Sequence, residues 1–214
     1  MRLFPLVGVV AAYLLGSIPT AYIAGRVHGV DLRRHGSGNL GATNALRVLG
    51  WRTGVPVFAI DAAKGYVPAA FFAPWFGAHP HWAMVYGVAA ILGHVKPVFL
   101  LGRGGGGGKG VATAAGVFLG LAPVATLVAF AAFAVTLAAT GYVSLGSIVA
   151  ALSLVVTLAA TAGLRAPVFP VAALVAAFVI WSHRANIGRL RRGEELRLSR
   201  RPAPSASSRP GPAA

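Results

Sequence analysis

Cysteine is absent from this 214-residue sequence, and acidic residues number only four. The first absence excludes disulfides, cysteine-ligated metals and a thioester intermediate. The second leaves 19 lysines and arginines almost uncompensated, so the formal net charge is +15 and a polar partner should be anionic. Charged residues make up only 11% of the chain, against roughly 25% in soluble domains, and 57% are hydrophobic. The composition indicates a membrane protein, to which phosphate and lipid are better suited as partners than nucleic acid.

Six apolar stretches are candidates for crossing a bilayer as helices, because a span takes about 20 residues. They cover residues 3–25, 55–76, 81–101, 111–139, 146–162 and 167–183. We expect an all-α, polytopic integral membrane protein whose first stretch is a retained anchor and not a cleaved signal.

The basic residues predict how the chain is oriented. They concentrate in three connections, at residues 26–52, 96–109 and 184–209. The positive-inside rule places these connections in the cytoplasm and the connection at 77–80 on the other side. The N-terminus is then outside, the C-terminus is cytoplasmic and the number of crossings is odd. Two short helices meeting near Pro123 give seven transmembrane helices, and one kinked helix over 111–139 gives five. We prefer seven, although 111–121 extends only about 17 Å.

The chain is expected to form a single transmembrane domain over residues 1–198. The tail, residues 199–214, is rich in proline, serine and alanine. This composition predicts a disordered cytoplasmic segment.

The segment HGSGNLGATNALRVLG, residues 35–50, is dense in hydrogen-bond donors. Its glycines allow close backbone approach, and a helix beginning near Thr43 would direct free N–H groups at an anion. A phosphate site and a solvated loop with a capped helix explain these features about equally well. The residues available to a phosphate are Ser37, Gly38, Asn39, Gly41, Thr43, Asn44 and Arg47.

The segment LLGRGGGGGKGVAT surrounds Lys109 with glycine. It departs from the Walker A pattern, because Arg103 replaces the first glycine and a glycine follows the lysine, so nucleotide binding is not expected. Bare backbone at Gly107, Gly108 and Gly110 could still cradle an anion beside the ammonium group. A flexible linker is the alternative.

Further polar side chains lie in or beside the apolar stretches. His183 and Asn186 would share one face of a helix leaving the membrane and could act together at a site. The alternative is that His183 is an ordinary hydrogen-bonded residue at the membrane boundary and that the neighbouring arginines only set the topology. Asp61 and Lys64 lie within a span, three residues apart, and favour a structural ion pair over a catalytic one. We interpret His94 as orienting the neighbouring glycine loop.

These segments together resemble the three motifs of the bacterial acyl-phosphate-dependent glycerol-3-phosphate acyltransferase family. The resemblance rests on GSGNLGATNALRVLG, GGKGVAT and HRANIGRL with a following Gly and Glu, and it runs from GSIPTAYI at residue 16 to about Arg197. It implies a seven-helix enzyme of the bacterial inner membrane whose active site faces the cytoplasm. Such an enzyme transfers a fatty acyl group from acyl phosphate to glycerol 3-phosphate, the first acylation of phospholipid synthesis. The products are lysophosphatidate and phosphate.

The resemblance also implies roles for single residues. As catalytic residues it implies Ser37, Arg47, Lys109, His183 and Asn186. It adds Ser144 to the substrate-binding residues named above and implies a supporting role for Glu195, while Asp61 and Lys64 are structural for the reason given above. One departure is that Arg103 precedes five glycines where the family has two. We expect residues 104–106 to lengthen the loop without forming part of the site.

The residues also constrain the mechanism without the resemblance. None of the six histidines has an aspartate five positions later, so a His-x-x-x-x-Asp general base is not expected. Acyl phosphate has a good leaving group, and its phosphate can accept the hydroxyl proton. Our hypothesis is direct, substrate-assisted transfer without a covalent intermediate, cofactor or metal. The alternative is a transporter or channel for phosphate or a phosphate ester, although no internal repeat supports it.

Overall fold

A computed structural model of the protein describes residues 4–76, 78–102 and 106–198. Within these ranges the chain forms helices and no strands, which confirms the all-α expectation. A 3₁₀ turn covers Val98–Leu100. The α-helices are α1 Phe4–Ser17, α2 Thr20–Val27, α3 Ala42–Leu49, α4 Trp51–Trp75, α5 Trp82–Val95, α6 Val111–Leu121, α7 Pro123–Thr140, α8 Val143–Thr161, α9 Val168–Ser182 and α10 Arg184–Arg191. The predicted disordered tail and Arg103 lie outside the described residues.

Long apolar helices make this a multi-pass membrane protein. On α7, for example, Val124, Leu127 and Val135 are 61–69% exposed, as suits side chains that face lipid. Within the described ranges, five segments are long and apolar enough to span a bilayer, and α9 with α10 is a sixth candidate if its bend lies inside one span. The five are Phe4–Val27, Trp51–Trp75, Trp82–Leu100, Pro123–Thr140 and Val143–Thr161. The seven-helix count and the orientation of the termini stay predictions.

The apolar stretch 111–139 is broken at Ala122, as the two-helix interpretation expected. Pro123 is the first residue of α7, a position where its missing N–H costs no helical hydrogen bond. The 11 residues of α6 are too few for a full crossing. Glycines hold α6 against α4: a methyl group at Gly65 or Gly116 would collide with backbone carbonyl groups of the facing helix.

The chain bends by 53° between α9 and α10, so the expected continuous helix through His183 and Asn186 is wrong. His183 is the residue between the two helices. Its ring Nδ1 lies 2.7 Å from the carbonyl oxygen of Val179. Since a carbonyl only accepts, Nδ1 donates there, at the end of α9 where carbonyl groups lose their helical partners. The bend makes α10 a separate short helix with its own N-terminus.

Candidate active site

The three polar segments meet at a cavity of about 340 Å³. The structure therefore brings together predicted site residues that are up to 158 positions apart, from Ser37 to Glu195. Most of the predicted site residues line this cavity. They are Ser37, Asn39, Gly41, Thr43, Arg47, Asp61, Lys109, Gly110, Ser144, His183, Asn186 and Glu195.

Several helices begin at this cavity. The starts of α3, α6, α8 and α10 each contribute lining residues, and none of these starts has a side-chain cap among the described residues. Gly110 has φ +79°, a left-handed conformation that glycine adopts without strain, and it turns the chain from Lys109 into α6. Helix N-termini leave backbone N–H groups without helical partners and carry partial positive charge. Their convergence suits a bound anion.

A hydrogen-bond network fixes the lysine of the glycine loop. The Lys109 ammonium donates to Asn186 Oδ1, and Asn186 Nδ2 donates to Glu195 Oε1 at 2.6 Å. Ser144 Oγ donates to the same carboxylate oxygen at 2.7 Å, and Arg189 Nε donates to Oε2 at 2.7 Å. Three donors thus hold the Glu195 carboxylate in place. The asparagine amide is locked in the orientation that presents its oxygen to the lysine.

The cavity carries unbalanced positive charge. Burial lowers the pKa of Lys109 to about 8, opposed by Glu195 and reinforced by Arg189 and Arg47. Burial alone would raise the pKa of Glu195, but hydrogen bonds from Asn186, Ser144 and Arg189 bring it below its usual value. The carboxylate therefore stays ionised at neutral pH. It still leaves an excess of cationic groups, which an anionic ligand would neutralise.

Arg47 is a cation of the cavity lining whose guanidinium is incompletely hydrogen-bonded by the described residues. It is half-buried on α3, and its Nε is buried without a hydrogen-bond partner among the described residues. Its Nη2 donates to the carbonyl oxygen of Leu196 at 3.4 Å, which is long for such a bond. Burial also lowers its pKa. A buried donor without a partner is costly, so this geometry fits a group that receives a ligand oxygen.

Two residues expected at the substrate lie outside the cavity lining and support the loop before α3. Asn44 is 1% exposed, and its Nδ2 donates to the carbonyl oxygens of Leu32 and His35 at 3.0 and 3.1 Å. Its Oδ1 accepts from the Ser37 backbone at 2.8 Å. Gly38 adopts φ +71° in the same loop. Asn44 thus positions Ser37, and its hydrogen-bonding groups are committed to the protein.

Gly107 and Gly108 also lie outside the cavity lining, and His94 explains why they are glycines. A methyl group at Gly107 would collide with the backbone carbonyl of His94, and one at Gly108 with the imidazole ring. The Gly107 N–H donates to the carbonyl oxygen of Val95 at 2.9 Å. We expected these glycines to approach a phosphate; the structure shows that they fit the loop onto α5. His94 contacts the loop as its interpretation requires.

Asp61 and Lys64 form an ion pair of 2.7 Å inside the protein. The side chains of Asp61 and Lys64 are 2% and 4% exposed, and Lys64 also donates to the carbonyl oxygen of Ile18 at 2.8 Å, beside the break between α1 and α2. His94 Nδ1 lies 3.7 Å from Asp61. These contacts support the structural interpretation of the pair, which ties three parts of the chain together beneath the glycine loop.

A second cavity, also of about 340 Å³, adjoins the first and is almost wholly apolar. It lies among α6, α7, α8 and α9. The hydroxyl groups of Thr126 and Ser147 donate to the backbone of their own helices, at 2.9 Å each, so they offer a ligand no free hydrogen. Both cavities are lined by Phe58, Val111, Phe133 and Ser147.

Sequence reasoning missed the apolar cavity, Arg189 as a site residue and the segment after α10. That segment returns across the polar cavity: Leu196 and Leu198 line it, and the Leu198 N–H donates to the carbonyl oxygen of Gly141 at 2.9 Å. Arg189 and Glu195 stand six positions apart in an arginine-rich run, and this spacing alone does not single them out. Small residues recur on α6, α7 and α8, but their pattern does not reveal which faces enclose a space.

The fold and the site define a class: a multi-pass membrane protein with a cationic cavity that adjoins an apolar one. The glycerol-3-phosphate acyltransferase family matches residues 6–193, and the chain belongs to this family. A glycerol-3-phosphate acyltransferase of Geobacter sulfurreducens is 47% identical over 188 residues, which cover 87% of this chain and 94% of the relative. One of Chlorobaculum parvum is 41% identical, with 89% and 95% covered.

Solved structures agree with this assignment. The glycerol 3-phosphate form of PlsY, an integral membrane glycerol 3-phosphate acyltransferase, matches with a TM-score of 0.83 and 42% identity over 90% of this chain and 94% of that one. The lysophosphatidic acid form of PlsY matches with a TM-score of 0.80 and 41% identity, again over 90% and 94%. The family and the helical fold therefore agree with the resemblance seen in the three motifs.

Proposed function

We propose that this protein transfers a fatty acyl group from acyl phosphate to glycerol 3-phosphate, giving lysophosphatidate and phosphate. The observation that carries the proposal is the junction of the two cavities. One is rich in cations and backbone donors, and the other is apolar, with the hydroxyl groups of Thr126 and Ser147 in its lining donating to their own helices. A lysophosphatidate has the same two parts, a phosphate head and an acyl chain. Relatives solved in glycerol 3-phosphate and lysophosphatidic acid forms support this assignment.

The cationic cavity holds the phosphates. Arg47 provides a guanidinium whose buried Nε has no hydrogen-bond partner among the described residues, and Lys109 provides a compact ammonium oriented by Asn186. The starts of α3, α6 and α10 add backbone N–H groups, and Ser37 adds a hydroxyl at the cavity surface. Two phosphates in one site repel each other unless such donors share their charge. This requirement accounts for a site in which cations outnumber carboxylates and both lining carboxylates, Asp61 and Glu195, are already paired with protein groups.

The acyl donor reaches the site from the bilayer. Val55 and Phe58 of α4, a helix long and apolar enough to span the bilayer, line the polar cavity and are 54% and 39% exposed. An acyl phosphate dissolved in lipid can therefore place its chain in the apolar cavity and its phosphate at the cations. Soluble glycerol 3-phosphate enters from the polar end. The two substrates meet where the cavities join.

Transfer is direct. The glycerol hydroxyl oxygen bonds to the carbonyl carbon, the bond from that carbon to the bridging phosphate oxygen breaks, and phosphate leaves with the electron pair. A phosphate oxygen takes the hydroxyl proton. His183 has a backbone carbonyl, not a carboxylate, at Nδ1, so it lacks the partner of a His/Asp base; its Nε2 is the ring atom available to a substrate. The cations stabilise the charge that develops on the leaving phosphate.

We propose also that the polar cavity faces the cytoplasm of a bacterial inner membrane. The arginines of the α2–α3 connection and of α10 support this orientation through the positive-inside rule. Cytoplasmic glycerol 3-phosphate would then reach the cations without crossing the bilayer.

The test is acyl transfer by the purified protein in detergent, without any vesicle compartment. Palmitoyl phosphate with glycerol 3-phosphate should release phosphate and form lysophosphatidate in equal amounts, and omission of either substrate should abolish both products. Palmitoyl-CoA is the matched control for the donor, and Arg47→Ala is the control for contaminating activity. Transfer from the thioester but not from acyl phosphate would refute the donor. Phosphate release without glycerol 3-phosphate would refute the transfer reaction.

A further inference from the structure

The apolar cavity adjoins the polar cavity at one end, here called the open end, and large buried side chains line its opposite, closed end. It is lined at the closed end by Phe118 of α6 and Leu154 of α8, which are 1% and 8% exposed. Both belong to a buried cluster that continues away from the cavity through Ala125, Leu158 and Ala172. The space beyond the two large side chains is therefore filled with packed protein.

The depth of the cavity can be read from three helices independently. Val111, Phe133 and Ser147 line both cavities and mark the open end on α6, α7 and α8. The most distant lining residue on each of these helices is Phe118, Thr126 or Leu154, and each lies seven positions from its helix's shared residue. Seven residues of α-helix rise about 10 Å. All three helices thus give one common depth, which indicates a defined floor.

From this floor we infer that Leu154, with Phe118 beside it, determines the longest acyl chain that the enzyme transfers efficiently. The inference rests on the proposed function, because the occupant of the cavity is the acyl chain of that reaction. A chain that fits replaces water or lipid contacts with packed apolar contacts along the whole depth. A chain that is too long meets buried side chains at the floor, where close packing leaves no room.

Substitutions on α8 can make the apolar cavity either deeper or shallower. Leu154→Ala removes the floor side chain and deepens the cavity, so longer chains should be favoured. Ala150 lines the cavity one helical turn nearer the open end, and Ala150→Leu should raise the floor and favour shorter chains. Leu158 is one turn beyond Leu154, is 2% exposed and does not line the cavity, so Leu158→Ala is the matched control.

The experiment measures kcat/KM for a graded series of saturated acyl phosphates at saturating glycerol 3-phosphate, for the whole chain purified in detergent. Each methylene of the acyl chain that enters or leaves the apolar cavity should change kcat/KM about fourfold, which corresponds to ~0.8 kcal/mol. Relative to wild type, the ratio of long-chain to short-chain activity should rise about tenfold in Leu154→Ala and fall about tenfold in Ala150→Leu. Leu158→Ala should lower thermal stability and keep the wild-type profile.

Three results would overturn the inference. An unchanged profile in both cavity variants would show that the floor does not measure the chain. Equal shifts in Leu154→Ala and Leu158→Ala would assign the effect to general loosening of the core. If wild type transfers no acyl group from any acyl phosphate, the proposed function fails and this inference fails with it, whereas an active wild type with unchanged variants refutes only the inference. Leu154→Val is the milder replacement if Leu154→Ala does not fold, and the same outcomes decide it.

Discussion

Removal of the Lys109 ammonium should cost about 3 kcal/mol of transition-state stabilisation, or about 100-fold in kcat/KM. The magnitude follows from its setting. The lysine is half-buried, its ammonium donates a hydrogen bond to Asn186, and it borders the cavity where we place the phosphates. Lys109→Ala leaves the asparagine oriented by Glu195, so the loss should be confined to the missing cation.

The same lysine should give the enzyme an alkaline limit. Burial lowers the pKa of Lys109 to about 8, so the group is charged below this pH and neutral above it. The kcat/KM of wild type, which reports the free enzyme, should fall as pH rises through about 8. The value of kcat should fall only at a higher pH, because a bound phosphate dianion favours the charged lysine. A loss of activity at acid pH, near pH ~6, would be caused by protonation of the substrate phosphate.

Lys109→Arg separates the charge from its titration. A guanidinium stays protonated over this pH range, so the alkaline fall near pH 8 should disappear. Overall activity should still be low, because a planar fork does not replace a compact ammonium beside Asn186. The assay is initial phosphate release from pH 6 to 10 at low glycerol 3-phosphate. Our reasoning is refuted if Lys109→Arg keeps the alkaline fall, or if Lys109→Ala retains near-normal kinetics with both substrates.

Three further predictions concern stability, the glycine loop and orientation. Asp61→Asn leaves a buried ammonium without its ion-pair partner and should destabilise the protein by about 3 kcal/mol in thermal unfolding; an unchanged midpoint would contradict the structural interpretation. Gly108→Ala should reduce turnover more than deletion of residues 104–106, because only the alanine methyl collides with α5, and the reverse order of kcat values would show that the whole run builds the site. Single cysteines at Ser205 and Ala78 should react with an impermeant thiol reagent from opposite sides of the membrane, and labelling from one side would exclude an odd number of crossings.

The motifs identified the polar half of the site because its chemistry is carried by residue types with few other uses in a membrane. Glycines, amides and cations stand out against an apolar background. Ser37, Lys109 and His183 could therefore be assembled from three distant segments by order and type alone. The helix start near Thr43 and the break near Pro123 were also predictable, because glycine and proline act on the backbone within a few residues.

Other features depended on contacts between helices. The sequence placed Asn44 and Gly108 at the substrate, but tertiary packing commits Asn44 to the loop before α3 and sets Gly108 against His94. The 53° bend at His183 was not visible either. The bend depends on the hydrogen-bond partners of the carbonyl groups at the end of α9 and on where α10 packs, and no proline or glycine marks it.

The membrane class, the helical secondary structure and the type of chemistry could be predicted from the residues, because hydropathy, backbone preferences and side-chain charge are properties of residues and short segments. Packing between helices sets which apolar faces enclose a cavity, how deep that cavity is, and which polar groups are available to a ligand. Leu154 and Leu158 illustrate the difference. Both are buried leucines one turn apart on α8, yet one lines the cavity and the other lies behind it. Their surroundings come from other helices, and these positions are set by packing across the whole chain.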